Sequence, residues 1–203
     1  MKRTNSVITL TLVVGLGFSA LSCDTGKSTN QEELADDHIT MDHSTDHKMT
    51  EGSDMVMSES QAVSALIDSY LSIKNALAKD DSKAASSAAQ KLMDAASTFE
   101  LSSFVKAEQA EIKEYLEVIR ENGEHITKSE IDHQRGHFER LSQDLKDLLE
   151  ITGTDRTLYQ QFCPMYAKGK GGIWLSESSE IKNPLFGSKM TTCGSVTETI
   201  TMK

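Results

Sequence analysis

The chain has 203 residues, enough for one or two small domains, and its 21 Lys and Arg against 31 Asp and Glu give a formal charge of −10 at neutral pH. That balance excludes an ordinary nucleic-acid binder, which presents a basic face to phosphate. Hydrophobic residues make up 37% and aromatics 5%, enough for one helical core if part of the chain stays outside it.

The N-terminal part reads as an export signal. Lys2 and Arg3 precede a largely apolar run from Val7 to Phe18, and the small residues Ser19, Ala20 and Ser22 lead into Cys23. This is the layout of a secretory signal peptide; the run is shorter than the roughly 20 residues of a transmembrane helix. A cysteine directly after small residues resembles the lipobox of bacterial lipoproteins, although Ala20 stands where such boxes usually carry Leu. Residues 1–22 are therefore expected to be a lipoprotein signal peptide and Cys23 the acylated first residue of the mature chain. Acyl chains, at about 0.8 kcal/mol per buried CH₂, would hold the protein on a membrane of the cell envelope, periplasmic or outer-membrane-associated.

After Cys23, residues 24–59 contain no aromatic and no Pro, and apart from methionines only Leu34, Ile39 and Val56 are large and apolar. Such a composition predicts a disordered tether. It carries ten acidic residues against Lys27 and Lys48, so most of the negative charge sits here. His38, Met41, His43, His47, Met49, Met55 and Met57 are interleaved with Asp42, Asp46 and Asp54. Thioethers are soft ligands that favour Cu(I), while imidazoles and carboxylates suit Cu(II). This spacing points to metal scavenging by a flexible segment, against the plainer reading of a polar spacer.

From residue 60 the periodicity becomes helical. Val63, Leu66, Ile67, Tyr70, Leu71 and Leu77 predict a helix over about 60–79, with Ser58 and Gln61 placed like a capping box. An alanine-rich second helix follows Asp80 and Asp81 and ends near Thr98. Ile112, Tyr115, Leu116 and Ile119 predict a third over about 104–121, stopped by Asn122 and Gly123. Ile131, Phe138, Leu141, Leu145, Leu148 and Leu149 predict a fourth over about 129–151, with Gly153 after its end. Short connections favour an antiparallel four-helix bundle. Beyond it, Leu158–Phe162, Ile173–Leu175 and Val196–Ile200 read as strands of a small β-rich lobe. The fold class is thus mainly α, with residues 60–203 forming bundle plus lobe.

The lobe holds the remaining cysteines. Cys163 and Met165 stand two apart, Met190 and Cys193 three apart, and if these segments are neighbours four sulfurs converge in a set suited to Cu(I) and poorly suited to Mg or Ca. A Cys163–Cys193 disulfide accounts for the same cysteines, since exported thiols pair by default, and would contribute roughly 3–4 kcal/mol. Spacing leaves the two open. Trp174 reads as the anchor of the lobe. His133 and His137 are one helical turn apart, a spacing at which two imidazoles can share an ion, but His137 falls at the border of the apolar face, where a packed histidine is the commoner outcome. His125 lies after Gly123 with no visible partner. Signatures of catalysis are absent: there is no nucleophile elbow, phosphate-cradling loop or zincin pair, so the expectation is a non-enzymatic protein.

The stretch Tyr159–Cys193, with FCPM, GGIWLS, IKNPLFG and KMTTCG in order, resembles the domain of unknown function 3347 family. The likeness extends back through Gln134-Arg135-Gly136-His137-Phe138 and Leu141-Ser142, and more weakly to Tyr70, Leu71, Lys74 and Leu77. That family occurs in Gram-negative lipoproteins and at the C-terminus of periplasmic adaptors of copper and silver efflux pumps. The CPM element is also similar to that of small heavy-metal-binding modules and lipoprotein copper chaperones. Leu185 departs from the family, which commonly has an aromatic there. The resemblance implies copper, principally Cu(I), or silver, on Cys163, Met165, Met190 and Cys193, with His137 as a fifth member, and a partner such as an efflux adaptor or cuproprotein. The competing expectation is a non-metal interaction module of an envelope complex with a Cys163–Cys193 disulfide; a reversible thiol redox pair is a third, without a CxxC motif to support it.

Overall fold

The structure, a computed structural model, describes residues 51–202. Four helices come first: α1 Glu51–Ala78, α2 Ser82–Ser97, α3 Lys106–Lys128 and α4 Ile131–Thr152. Three strands follow, β1 Leu158–Cys163, β2 Gly172–Ser176 and β3 Ser195–Ile200, with a short helical turn Tyr166–Gly169 between β1 and β2 and a 3₁₀ turn Gly187–Lys189 before β3. The sheet is antiparallel in the order β2-β1-β3. The mainly α architecture with a small C-terminal sheet is the one the periodicity predicts.

Two boundaries differ from expectation. Helix α1 starts at Glu51, within the stretch whose composition suggests a tether, so Ser58 and Gln61 lie inside the helix and do not cap it. Once a helix is nucleated each further residue adds a hydrogen bond at little cost, and no Pro interrupts residues 51–60. Helix α3 runs through Asn122 and Gly123 to Lys128. Here the glycine serves packing and not a turn: a Cβ on Gly123 would lie 2.9 Å from Met93 Cγ of α2, so its absence lets the two helices approach closely. Ile126, fully buried, continues the stripe of Ile112, Leu116 and Ile119.

Tyr70 joins the sheet to the bundle. The Leu175 amide donates to its phenolic oxygen at 2.9 Å, and the phenol lies 2.7 Å from Ser142 Oγ, which in turn donates to the Phe138 carbonyl at 2.8 Å. Since the Ser142 proton is committed to that carbonyl, the phenol donates to the serine, and β2, α1 and α4 share one buried chain of hydrogen bonds. Burial raises the Tyr70 pKa above its ordinary range, followed by smaller opposing effects of the Ser142 and Leu175 hydrogen bonds. Beside it, the buried Lys74 ammonium donates to Ser176 Oγ at 3.2 Å, and burial pulls its pKa down.

Candidate functional site

The lobe's loops are held by a few polar side chains. Arg135 of α4 donates to the carbonyls of Pro184 and Leu77, both at 3.1 Å, and forms an ion pair with Asp80. The Ser188 amide donates to Asp80 Oδ2 at 3.1 Å; the Ser188 side chain, then Arg135, then this amide lower the Asp80 pKa. Gly187 has φ +58°, and a Cβ there would fall 2.0 Å from Asp80 Oδ1; both the backbone conformation and the close approach call for glycine. The segment from Asn183 to Gly187 is thereby fastened to the α1–α2 corner and to α4.

Asn183 carries that fixation to the cysteine turn. Its Oδ1 accepts the amides of Leu185 and Phe186, at 2.8 and 3.2 Å, while its Nδ2 donates to the Cys193 carbonyl at 2.8 Å. The Asn183 amide donates to the Thr191 carbonyl at 2.9 Å, and the Cys193 amide to the Met190 carbonyl at 3.3 Å. Across from this turn, Cys163 ends β1. The pairing of Phe162 with Ser195 on β3 brings the two cysteine-bearing segments side by side.

Cys163 and Cys193 are both free thiols, the first buried and the second half-buried. Cys163 is the main influence raising the Cys193 pKa; burial adds to it, and the Met165 backbone works against it. Cys193 is therefore a protonated thiol at neutral pH, and a metal binding there displaces its proton. Met165 and Met190 are exposed. Trp174, wholly buried, donates its indole N–H to Gln161 Oε1 at 2.6 Å, and a Cβ on Gly194 would lie 2.9 Å from its ring edge. The indole thus supports the sheet from within and abuts the residue after Cys193, whereas Leu175 and Ser176 make the polar links to the bundle.

His137 is placed elsewhere. It is 7% exposed, its Nδ1 lies 3.0 Å from Asn122 Oδ1 of α3, and its ring stacks on those of His125 and His133. Its position on the α3-facing side of α4 makes it a neighbour of these imidazoles. Burial lowers its pKa from 6.5 to about 4, assisted by the charges of His125, His133 and Arg140. The sequence reading missed His125 because Asn122-Gly123 looked like a helix stop; Ile126, in phase with Ile112 and Ile119, was the signal that α3 continues. As the side chains stand, no three His, Cys, Asp or Glu among the described residues are placed to hold a metal ion; the three imidazoles stack and do not converge on one point. Cys23, His38, Met41, His43, His47 and Met49 lie outside the described residues.

Residues 66–157 match a protein family described as Protein of unknown function (DUF3347). Over this span the chain is similar to the DUF3347 family. The matched DUF3347 segment covers most of the helical bundle and stops before β1, so Arg135, His137 and the Tyr70–Ser142 link fall inside it, while Cys163, Met165, Met190 and Cys193 lie beyond it. No curated protein and no solved structure matches the chain. Among the described residues no helix is long and apolar enough to cross a membrane.

Proposed function

We propose that this chain is a non-enzymatic copper-binding lipoprotein of the bacterial cell envelope, anchored through Cys23, which takes up Cu(I) on the lobe and passes it to an efflux adaptor or cuproprotein. The observation that carries the reading is the β1–β3 pairing, which brings the segments bearing the free cysteines Cys163 and Cys193 side by side, with Cys163 the main influence on the Cys193 thiol. Two thiolates with neighbouring thioethers form a soft donor set that suits Cu(I), and silver by the same chemistry. Met165 and Met190 are exposed, so an incoming partner has access to the outer ligands and can replace them stepwise. The acidic His/Met segment ahead of the bundle would collect copper and deliver it to this lobe.

The same pairing favours a second reading, an envelope interaction module in which Cys163 and Cys193 are joined as a disulfide. Counting thiols in denaturant without reductant, followed by titration of Cu(I) against a competing chelator, separates the two. The copper reading expects two reactive thiols from the lobe, and lobe-dependent Cu(I) binding that is abolished by Cys163→Ser or Cys193→Ser and weakened by Met165→Leu. Unreactive lobe thiols without Cu(I) binding support the interaction module. Binding that is unchanged when both cysteines are replaced places the copper on the tether and refutes the lobe site.

A further inference from the structure

The two-residue connection Ser129–Glu130 sets the last turn of α3 against the first turns of α4. His125 on α3 and His133 and His137 on α4 consequently form one cluster. The ring of His137 lies 4.2 Å from that of His125 and 4.8 Å from that of His133, centroid to centroid, and His125 and His133 are 6.5 Å apart. His125 and His133 are exposed and His137 is buried.

A second set of contacts orients the buried ring. Asn122 Nδ2 donates to Asp144 Oδ2 at 3.1 Å and to the Val118 carbonyl at 3.2 Å, which turns Asn122 Oδ1 toward His137 Nδ1, 3.0 Å away. Nδ1 must then be the protonated nitrogen, and Nε2 keeps its lone pair. A carboxylate and an amide fixing the tautomer of an imidazole is the outer-shell arrangement found behind metal-ligating histidines. Imidazole suits Zn(II), Cu(II) and Ni(II), and three nitrogens with water in a fourth position complete a tetrahedral ion.

We propose that His125, His133 and His137 form a second metal site, for a divalent late transition-metal ion, separate from the sulfur site of the lobe. As the rings stand they are nearly parallel, with interplanar angles of 4°, 11° and 13°, and their in-plane lone pairs do not meet at one point. Ligation takes a rotation of the exposed His125 and His133 side chains toward His137, whose ring Asn122 holds.

The test uses the full chain with His38→Gln, His43→Gln, His47→Gln, Cys163→Ser and Cys193→Ser, so that neither the tether imidazoles nor the lobe thiols contribute, and titrates Zn(II) against a chelating indicator. One Zn(II) per chain is expected, with the ring nitrogens of all three histidines shifted in long-range ¹H–¹⁵N spectra. His125→Gln with His133→Gln, both at exposed positions, should abolish the binding, and Asn122→Leu should weaken it about 10- to 100-fold. No Zn(II) binding in the parent, binding indifferent to the His125 and His133 changes, or a shift confined to one ring overturns the proposal. Cu(I) titration of the chain with its cysteines intact is read separately, so failure of either site leaves the other standing.

Discussion

His137 illustrates how one side chain responds to its burial. Its folded-state pKa of about 4 lies below the ordinary 6.5, so between these values the unfolded chain binds the proton that the folded chain refuses. The resulting stability is fully present above about pH 6.5 and is lost as the pH falls toward 4, a change on the order of 2–3 kcal/mol. Urea midpoints measured with chelator present at pH 7, 5.5 and 4 should fall accordingly. His137→Gln, which keeps an amide next to Asn122, should flatten that decline; an equal decline in the variant would assign it to other groups. Tyr70 shows the complementary case, in which burial is matched by partners on both sides of its hydroxyl. The sequence marked both residues as border or core positions of a helix, yet their partners Asn122, Ser142 and Leu175 are 15, 72 and 105 residues away, beyond what helical spacing reveals.

At the scale of elements, the bundle was legible because Val63–Leu77, the alanines of α2 and Phe138–Leu149 each carry a long apolar stripe. Helix α3 was read short because Asn-Gly has two uses, a left-handed cap and a close helix contact, which local sequence does not separate. The distinction is measurable with Gly123→Ala. In a left-handed cap alanine costs about 1–2 kcal/mol. In a continuous helix it gains up to about 1 kcal/mol in propensity, offset by the shift demanded of Met93, so thermal stability should change little. Gly123→Leu should overpack the α2–α3 contact and cost about 1–3 kcal/mol. A clear loss of stability in Gly123→Ala, with Met93→Ala giving no relief, would argue against the close-contact role. The same continuation of α3 is what carries His125 to the α4 histidines.

For the whole molecule, the charge of −10 divides unevenly. Residues 24–59 hold ten acidic and two basic side chains, of which Glu51, Asp54 and Glu59 fall at the start of α1, and residues 60–203 are only mildly acidic. If the tether captures Cu(II) through imidazoles and carboxylates, replacing Asp36, Asp37, Asp42 and Asp46 with Asn should weaken Cu(II) binding about tenfold, taking roughly 0.2–1 kcal/mol per charge. Cu(I) bound by Cys163 and Cys193 should be unaffected. Equal loss of both ions would mean that tether and lobe act as one site, and no loss of Cu(II) would leave the carboxylates as solubilising charge.

By itself the sequence determined the helices, the three strands and the two sulfur pairs, because these depend on periodicity and on residues a few positions apart. Tertiary structure decided which groups meet. Register between β1 and β3 set the segments of Cys163 and Cys193 side by side, and the α3–α4 hairpin drew His137 toward Asn122 and His125. Hydrogen bonds act over about 3–4 Å, while the partners of Tyr70, Asp80 and His137 lie 15 to 108 positions away along the chain; only tertiary packing closes that distance.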